Sequence, residues 1–179
     1  MQKSSMLLVV FMIAILASSI SAQEQQKPPA SPPGTASVTF ADGKTVTITY
    51  SRPSTRGRKI FGGLVPYGQV WRTGANAATS LKTDVNLTIG GASVPAGSYT
   101  LYSIPNENGW KLIINKQTGQ WGTDYEEKDD LARVDMKVAN NASPTEQFTI
   151  SLDKSGASGA TLKLDWAGTT ASVLINEKK

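Results

Sequence analysis

Seven basic side chains, Lys44, Arg52, Arg56, Arg58, Lys59, Arg72 and Lys82, lie between Asp42 and Asp84 with no acidic residue among them. Such a run sets up a local positive field unless acids from elsewhere fold against it. Arginine presents planar N–H donors matched to carboxylate, phosphate or sulfate oxygens. Arg58 and Arg72 are therefore the candidates for holding a ligand's acidic oxygens. Asn76 and Thr79 supply neutral donors and acceptors that fix orientation, and Tyr67 or Trp71 can cover a sugar or an aromatic face. Each also has a purely structural reading. The arginines can satisfy loop carbonyls, Trp71 and Phe61 can anchor the loop on the core, and Asn76 can cap a turn. The residues alone leave both readings open.

Other chemistry is narrowed by what is missing. The chain has no histidine and no cysteine, which removes imidazole and thiol catalysis, disulfides and the usual zinc sites. No cofactor is implied. An acidic group at Asp124, Glu126, Glu127, Asp129, Asp130 and Asp135 lacks the spacing and the turn glycine of a calcium loop. It reads as a solvated face or as a partner for the basic stretch. Glu107, Glu146 and Asp165 are candidates for a glycosidase-type carboxylate pair, but no spacing joins two of them. No phosphate loop and no nucleophile elbow is present.

The elements that must position these groups alternate with period two, the pattern of strands. Ser37–Ala41 and Lys44–Tyr50 flank Asp42-Gly43, the signature of a type I′ hairpin. Leu81–Ile89 places Leu81, Val85, Leu87 and Ile89 on one face. Ser98–Ile104 and Trp110–Asn115 read as a second hairpin. Ala132–Val138 alternates as well, and Gln147–Leu152, Thr161–Trp166 and Ala171–Asn176 read as a meander. About nine strands with regular turns predict an all-β fold, a single antiparallel sandwich of jelly-roll type. One short helix is expected near 123–131, with Thr123 and Glu126 forming a capping box. Residues 51–80 break the alternation. Five glycines and two prolines there sit among Phe61, Leu64, Val65, Tyr67, Val70 and Trp71. That is too apolar for a solvated loop and too rich in Gly and Pro for a core strand. A long ordered loop packed on the sheet is expected, of the kind that carries function.

Ahead of the domain, Lys3, the apolar run Met6–Leu16 and the small residues Ala17–Ala22 have the layout of a signal peptide over 1–22. The apolar run is too short for a membrane span, which needs ~20 residues. Residues 23–34 hold four of the nine prolines and read as a disordered spacer. The domain then covers 35–179, in the periplasm or outside the cell. The net charge of +4 is mild and gives no argument for nucleic acid.

The string Gly57-Arg58-Lys59-Ile60-Phe61-Gly62-Gly63-Leu64-Val65-Pro66-Tyr67-Gly68-Gln69-Val70-Trp71-Arg72-Thr73-Gly74-Ala75-Asn76 resembles the signature of a secreted bacterial family, domain of unknown function 2911. Pro95–Leu101, Trp121-Gly122 and Glu146–Thr149 resemble its later segments, so the likeness spans about 35–176. It implies an exported all-β domain and assigns no reaction. The family pattern commonly has Glu after the Asn, where this chain has Ala77. Any chemistry resting on that carboxylate is absent here. The favoured expectation is non-catalytic binding of a small polar or anionic ligand, a saccharide or an envelope component, at the 56–79 loop. The alternatives are a structural or protein-interaction domain, and an enzyme built on carboxylates, Lys or Tyr. Oligomeric state is not legible in the sequence.

Overall fold

The computed structural model describes residues 30–178. The expected signal peptide and residues 23–29 of the spacer lie outside the described residues. Nine strands form: β1 (Pro33–Thr39), β2 (Thr45–Ser51), β3 (Thr79–Thr83), β4 (Leu87–Ile89), β5 (Ala92–Val94), β6 (Gly97–Ile104), β7 (Trp110–Asn115), β8 (Asp130–Lys154) and β9 (Gly159–Glu177). They join in one open antiparallel sheet in the order β1-β2-β3-β6-β7-β8-β9-β4-β5. The all-β, antiparallel, nine-strand expectation therefore stands.

Strand β8 carries the architecture. Its start, Asp130–Met136, pairs with β7, while Lys137–Lys154 pairs with β9. Register slips between Asn140 and Thr149 mark where the long pair departs from a regular ladder, as bulges do. The sheet folds back far enough for β2 to meet the distal part of β8. The Tyr50 hydroxyl accepts from the Ile150 N–H at 2.8 Å, and the Phe148 N–H donates to the Pro53 carbonyl at 2.8 Å. The inward faces of both halves then share one hydrophobic cluster, from Val38, Val46 and Ile48 to Leu162, Leu164 and Ile175.

Several local expectations are corrected. The first turn is not type I′: only Gly43 has positive φ (83°), and the Phe40 N–H donates to the Lys44 carbonyl at 2.9 Å. This is the bulged, three-residue turn with glycine in the left-handed position; Asp42 Oδ1 accepts from the Lys44 N–H at 3.0 Å. Leu81–Ile89 is not one strand. Thr83 Oγ1 donates to the Val85 carbonyl at 2.7 Å, and that corner sends the chain from β3 to β4, beside β9. The four expected C-terminal strands are two long ones, β8 and β9. The expected helix near 123–131 shrinks to one 3-10 turn, Glu127–Asp129, with no side-chain cap. Tertiary bonds outcompete the capping box here, because Asn115 Nδ2 donates to both the Glu126 carbonyl and Asp130 Oδ1 at 2.9 Å. The spacer expected to reach residue 34 ends earlier, since Pro33 and Gly34 already pair with Ser51 and Tyr50. Proline is tolerated as the first residue of an edge strand.

The stretch 51–80 is a long ordered loop, with Ser51 closing β2 and Thr79-Ser80 opening β3. Ile60, Phe61, Val65 and Trp71 are buried in the main cluster. Trp71 continues the ladder where β3 stops. Thr79 pairs with Leu101, and two residues along β6, Ser103 exchanges backbone bonds with Trp71 at 2.7 and 2.9 Å. The Trp71 ring stacks on Trp166 (5.7 Å, 16°) and meets Phe61, Trp110 and Phe148 edge-on. Removing a buried Trp costs about 3–5 kcal/mol. Trp71→Ala is expected to lower the melting temperature by about 10 °C or more. Trp121→Ala, at a side chain 53% exposed, is expected to change it by about 2 °C or less; calorimetry on the two variants checks this.

Candidate functional site

The loop, the segment after β7 and the start of the described chain enclose a cleft of about 690 Å³. Arg56, Arg58 and Arg72 line it, together with Asn76, Trp71, Trp166, Tyr102 and Tyr125. Among the described residues, no carboxylate lines it. A volume of this order is that of an ordinary small-molecule site, ~300–1,000 Å³.

Of the six candidates from the sequence, Arg58, Trp71, Arg72 and Asn76 come together at the cleft. Tyr67 does not line it. Its ring lies over Gly62, where an added Cβ would sit 2.7 Å from Tyr67 Cε2. Thr79 is fully buried and donates to the Thr73 carbonyl at 2.7 Å, so it serves the loop's backbone. Arg58 donates from Nε to the Thr55 carbonyl at 2.9 Å and from Nη2 to the Ser54 carbonyl at 2.8 Å. Its charge faces the cleft region while its hydrogen bonds hold the loop. Arg56 donates to the Ala30 carbonyl at 3.3 Å. Arg72 differs from both: among the described residues its guanidinium makes no hydrogen bond or ion pair. Its stem lies against Gly122, where a Cβ would come 2.5 Å from Arg72 Cδ and 2.7 Å from the Asn76 carbonyl. Only glycine lets that wall close, and the Gly122 N–H bonds the same Asn76 carbonyl at 3.0 Å.

Backbone strain gathers here. Arg56, Thr73 and Asn76 have φ of 50°, 51° and 60°, a region that non-glycine residues occupy at a cost of ~1–3 kcal/mol. Thr73 is β-branched and fully buried. Its hydroxyl bonds Ser103 Oγ at 2.9 Å and the Trp71 carbonyl at 3.3 Å, which fixes the geometry between Arg72 and Gly74.

Among the described residues, the acidic group makes no ion pair with the basic loop. Asp130 and Glu127 bond Arg133 at 2.7 and 2.8 Å. The Tyr125 hydroxyl donates to Asp130 Oδ2 and accepts from Arg133, each at 2.7 Å. Burial, then the Asp130 carboxylate, pushes the Tyr125 phenol up to about 12. Burial also raises Tyr102, which accepts from Gln120 at 3.1 Å. Both phenols lining the cleft therefore stay protonated near neutral pH. The reading from sequence does not single out Arg56, Leu64, Val70, Tyr102, Tyr125 and Trp166, all of which line the cleft. Arg56 carried the signal of the basic run; the two tyrosines sit in strand and turn contexts that give no signal.

Glu146 is the acid that docks the loop. It accepts from the Thr55 hydroxyl and from the Arg56 N–H at 2.9 Å, and these bonds, the Thr55 one first, hold its carboxyl below the usual glutamate range. A depressed carboxyl adds stability above its unfolded-state value and loses it as the pH falls through the folded one. Glu146→Gln is expected to melt lower than wild type at pH 7. The gap should close as the pH falls below about 4.3, the ordinary glutamate value. A gap that stays constant with pH in melting scans would contradict the role of the charge.

Residues 31–175 match the family model described as Protein of unknown function (DUF2911). No curated protein and no solved structure matches the chain. The matched span takes in all nine strands but the end of β9, and every residue lining the cleft except Ala30. The chain thus belongs to the DUF2911 family.

Proposed function

We propose that this chain is an exported, non-catalytic binding module for a small anionic ligand, held in the cleft under the 56–79 loop. The observation that carries the reading is the Arg72 guanidinium, which has no hydrogen bond or ion pair among the described residues, in a cleft lined by three arginines and, among the described residues, by no carboxylate. Arg72 takes the ligand's acidic oxygens in a two-pronged contact. Arg56 and Arg58 add positive potential, Asn76 sets orientation, and Trp71 closes one wall. A neutral saccharide fits this lining less well, since it leaves the Arg72 charge without a counter-charge. Export is supported by the layout of residues 1–22.

The enzyme reading is weaker. General acid–base work needs a group poised near neutral pH, whereas Tyr125 is moved far above it. The interaction-domain reading would favour an open strand edge. One edge strand, β5, has three residues. The other, β1, is tied by the Lys154 ammonium to the Thr39 carbonyl at 3.0 Å.

Thermal melting of the full chain against organic carboxylates, phosphate monoesters and their neutral amide or alcohol counterparts tests the proposal. An anion at a hundred times its dissociation constant adds about 2.7 kcal/mol, which raises the melting temperature by about 5 °C or more. Arg72→Ala should melt within about 2 °C of wild type without ligand and lose that rise. Arg58→Ala should melt lower, because two loop carbonyls lose their donor. An anion response that survives in Arg72→Ala, or no response to any anion, would overturn the reading.

A further inference from the structure

The cleft has a second chemical character beside its charge. Leu64 and Val70 are large apolar side chains of the loop that remain 48% and 38% exposed, and both line it. Val65, Pro66, Pro53 and Ala75 continue that apolar lining, with the rings of Trp71 and Trp166 beside them. A loop that buries Ile60, Phe61, Val65 and Trp71 has no packing reason to leave Leu64 and Val70 uncovered. Exposed apolar groups gathered in one concavity mark a binding surface. The charge in the same cleft is unevenly committed. Arg58 and Arg56 spend donors on the Ser54, Thr55 and Ala30 carbonyls, whereas Arg72 has, among the described residues, its full fork available. One free fork serves one anionic head.

Building on the anion-cleft reading above, we propose that the ligand is an amphiphilic anion. It has a single carboxylate, phosphate or sulfate head on Arg72 and an aliphatic or aromatic body against Leu64, Val65, Pro66 and Val70. This excludes compact polyanions, which need several free cations, and neutral polyols, which gain nothing from the apolar lining. A cleft of about 690 Å³ has room for a body of drug-like size.

The experiment titrates octanoate, acetate, citrate and 1-octanol into the full chain, following tryptophan fluorescence from the cleft rings and the melting temperature. Octanoate should bind at least tenfold more tightly than acetate, citrate or octanol. The double variant Leu64→Ser/Val70→Ser changes exposed side chains and should keep the wild-type fold. It should weaken octanoate at least tenfold and leave acetate unchanged. Arg72→Ala should weaken octanoate and acetate alike and leave octanol unchanged. Acetate or citrate binding as tightly as octanoate through Arg72 would overturn the amphiphile and spare the anion cleft. Failure of every anion would overturn both. Octanoate binding unchanged in both variants would place it elsewhere on the surface and overturn the proposal.

Discussion

The packing of Trp71 against Trp166, Phe61, Trp110 and Phe148 is the constraint on which the rest of the cleft depends. Its backbone occupies the ladder position vacated by β3, and its ring enters the core where the two halves of the folded sheet meet. Each aromatic contact adds ~0.5–1.5 kcal/mol beyond burial, so one residue pins a 27-residue crossing to the core. The neighbours inherit that fixity. Arg72 follows Trp71 directly, and its stem rests on Gly122. Thr73 then holds a left-handed conformation because three hydroxyl and carbonyl bonds leave it no alternative.

A rigid loop changes what its arginines can do. A guanidinium on a loose chain loses much of its binding energy to ordering, whereas one on a fixed wall presents its donors in place. The division of labour follows from geometry. Arg58 and Arg56 are turned toward carbonyls of the chain itself, and Glu146 bonds the turn from the far side. The positive field is thus built from groups that also hold the loop, while Arg72 keeps its donors unused among the described residues.

Much of this was legible in the sequence. Period-two alternation marks the inward faces, as with Val46, Ile48 and Tyr50, because a strand buried on one face writes its pattern locally. The density of Phe61, Val65 and Trp71 among glycines and prolines marks the loop as packed. What escaped depends on long-range pairing. Nothing within Leu81–Ile89 tells that Thr83 turns the chain into another part of the sheet, since both segments bury the same residues. Thr123 and Glu126 carry the local preference for a helix start, which the Asn115 amide, distant in sequence, overrides. At the site, Arg58 and Arg72 are indistinguishable by type. Only their surroundings separate a guanidinium spent on carbonyls from one that is free. Tyr102 and Tyr125 reach the cleft through the pairing of β6 with β7 and a turn after it, which no local motif announces.

Native-state hydrogen exchange at the Trp71 and Ser103 amides reports whether the loop opens independently of the sheet. If the loop is clamped by its tryptophan, both amides exchange with the free energy of global unfolding, matching Leu101 in the interior of β6. Exchange at Trp71 and Ser103 that is orders of magnitude faster than at Leu101 would show the loop opening by itself, and would contradict the account.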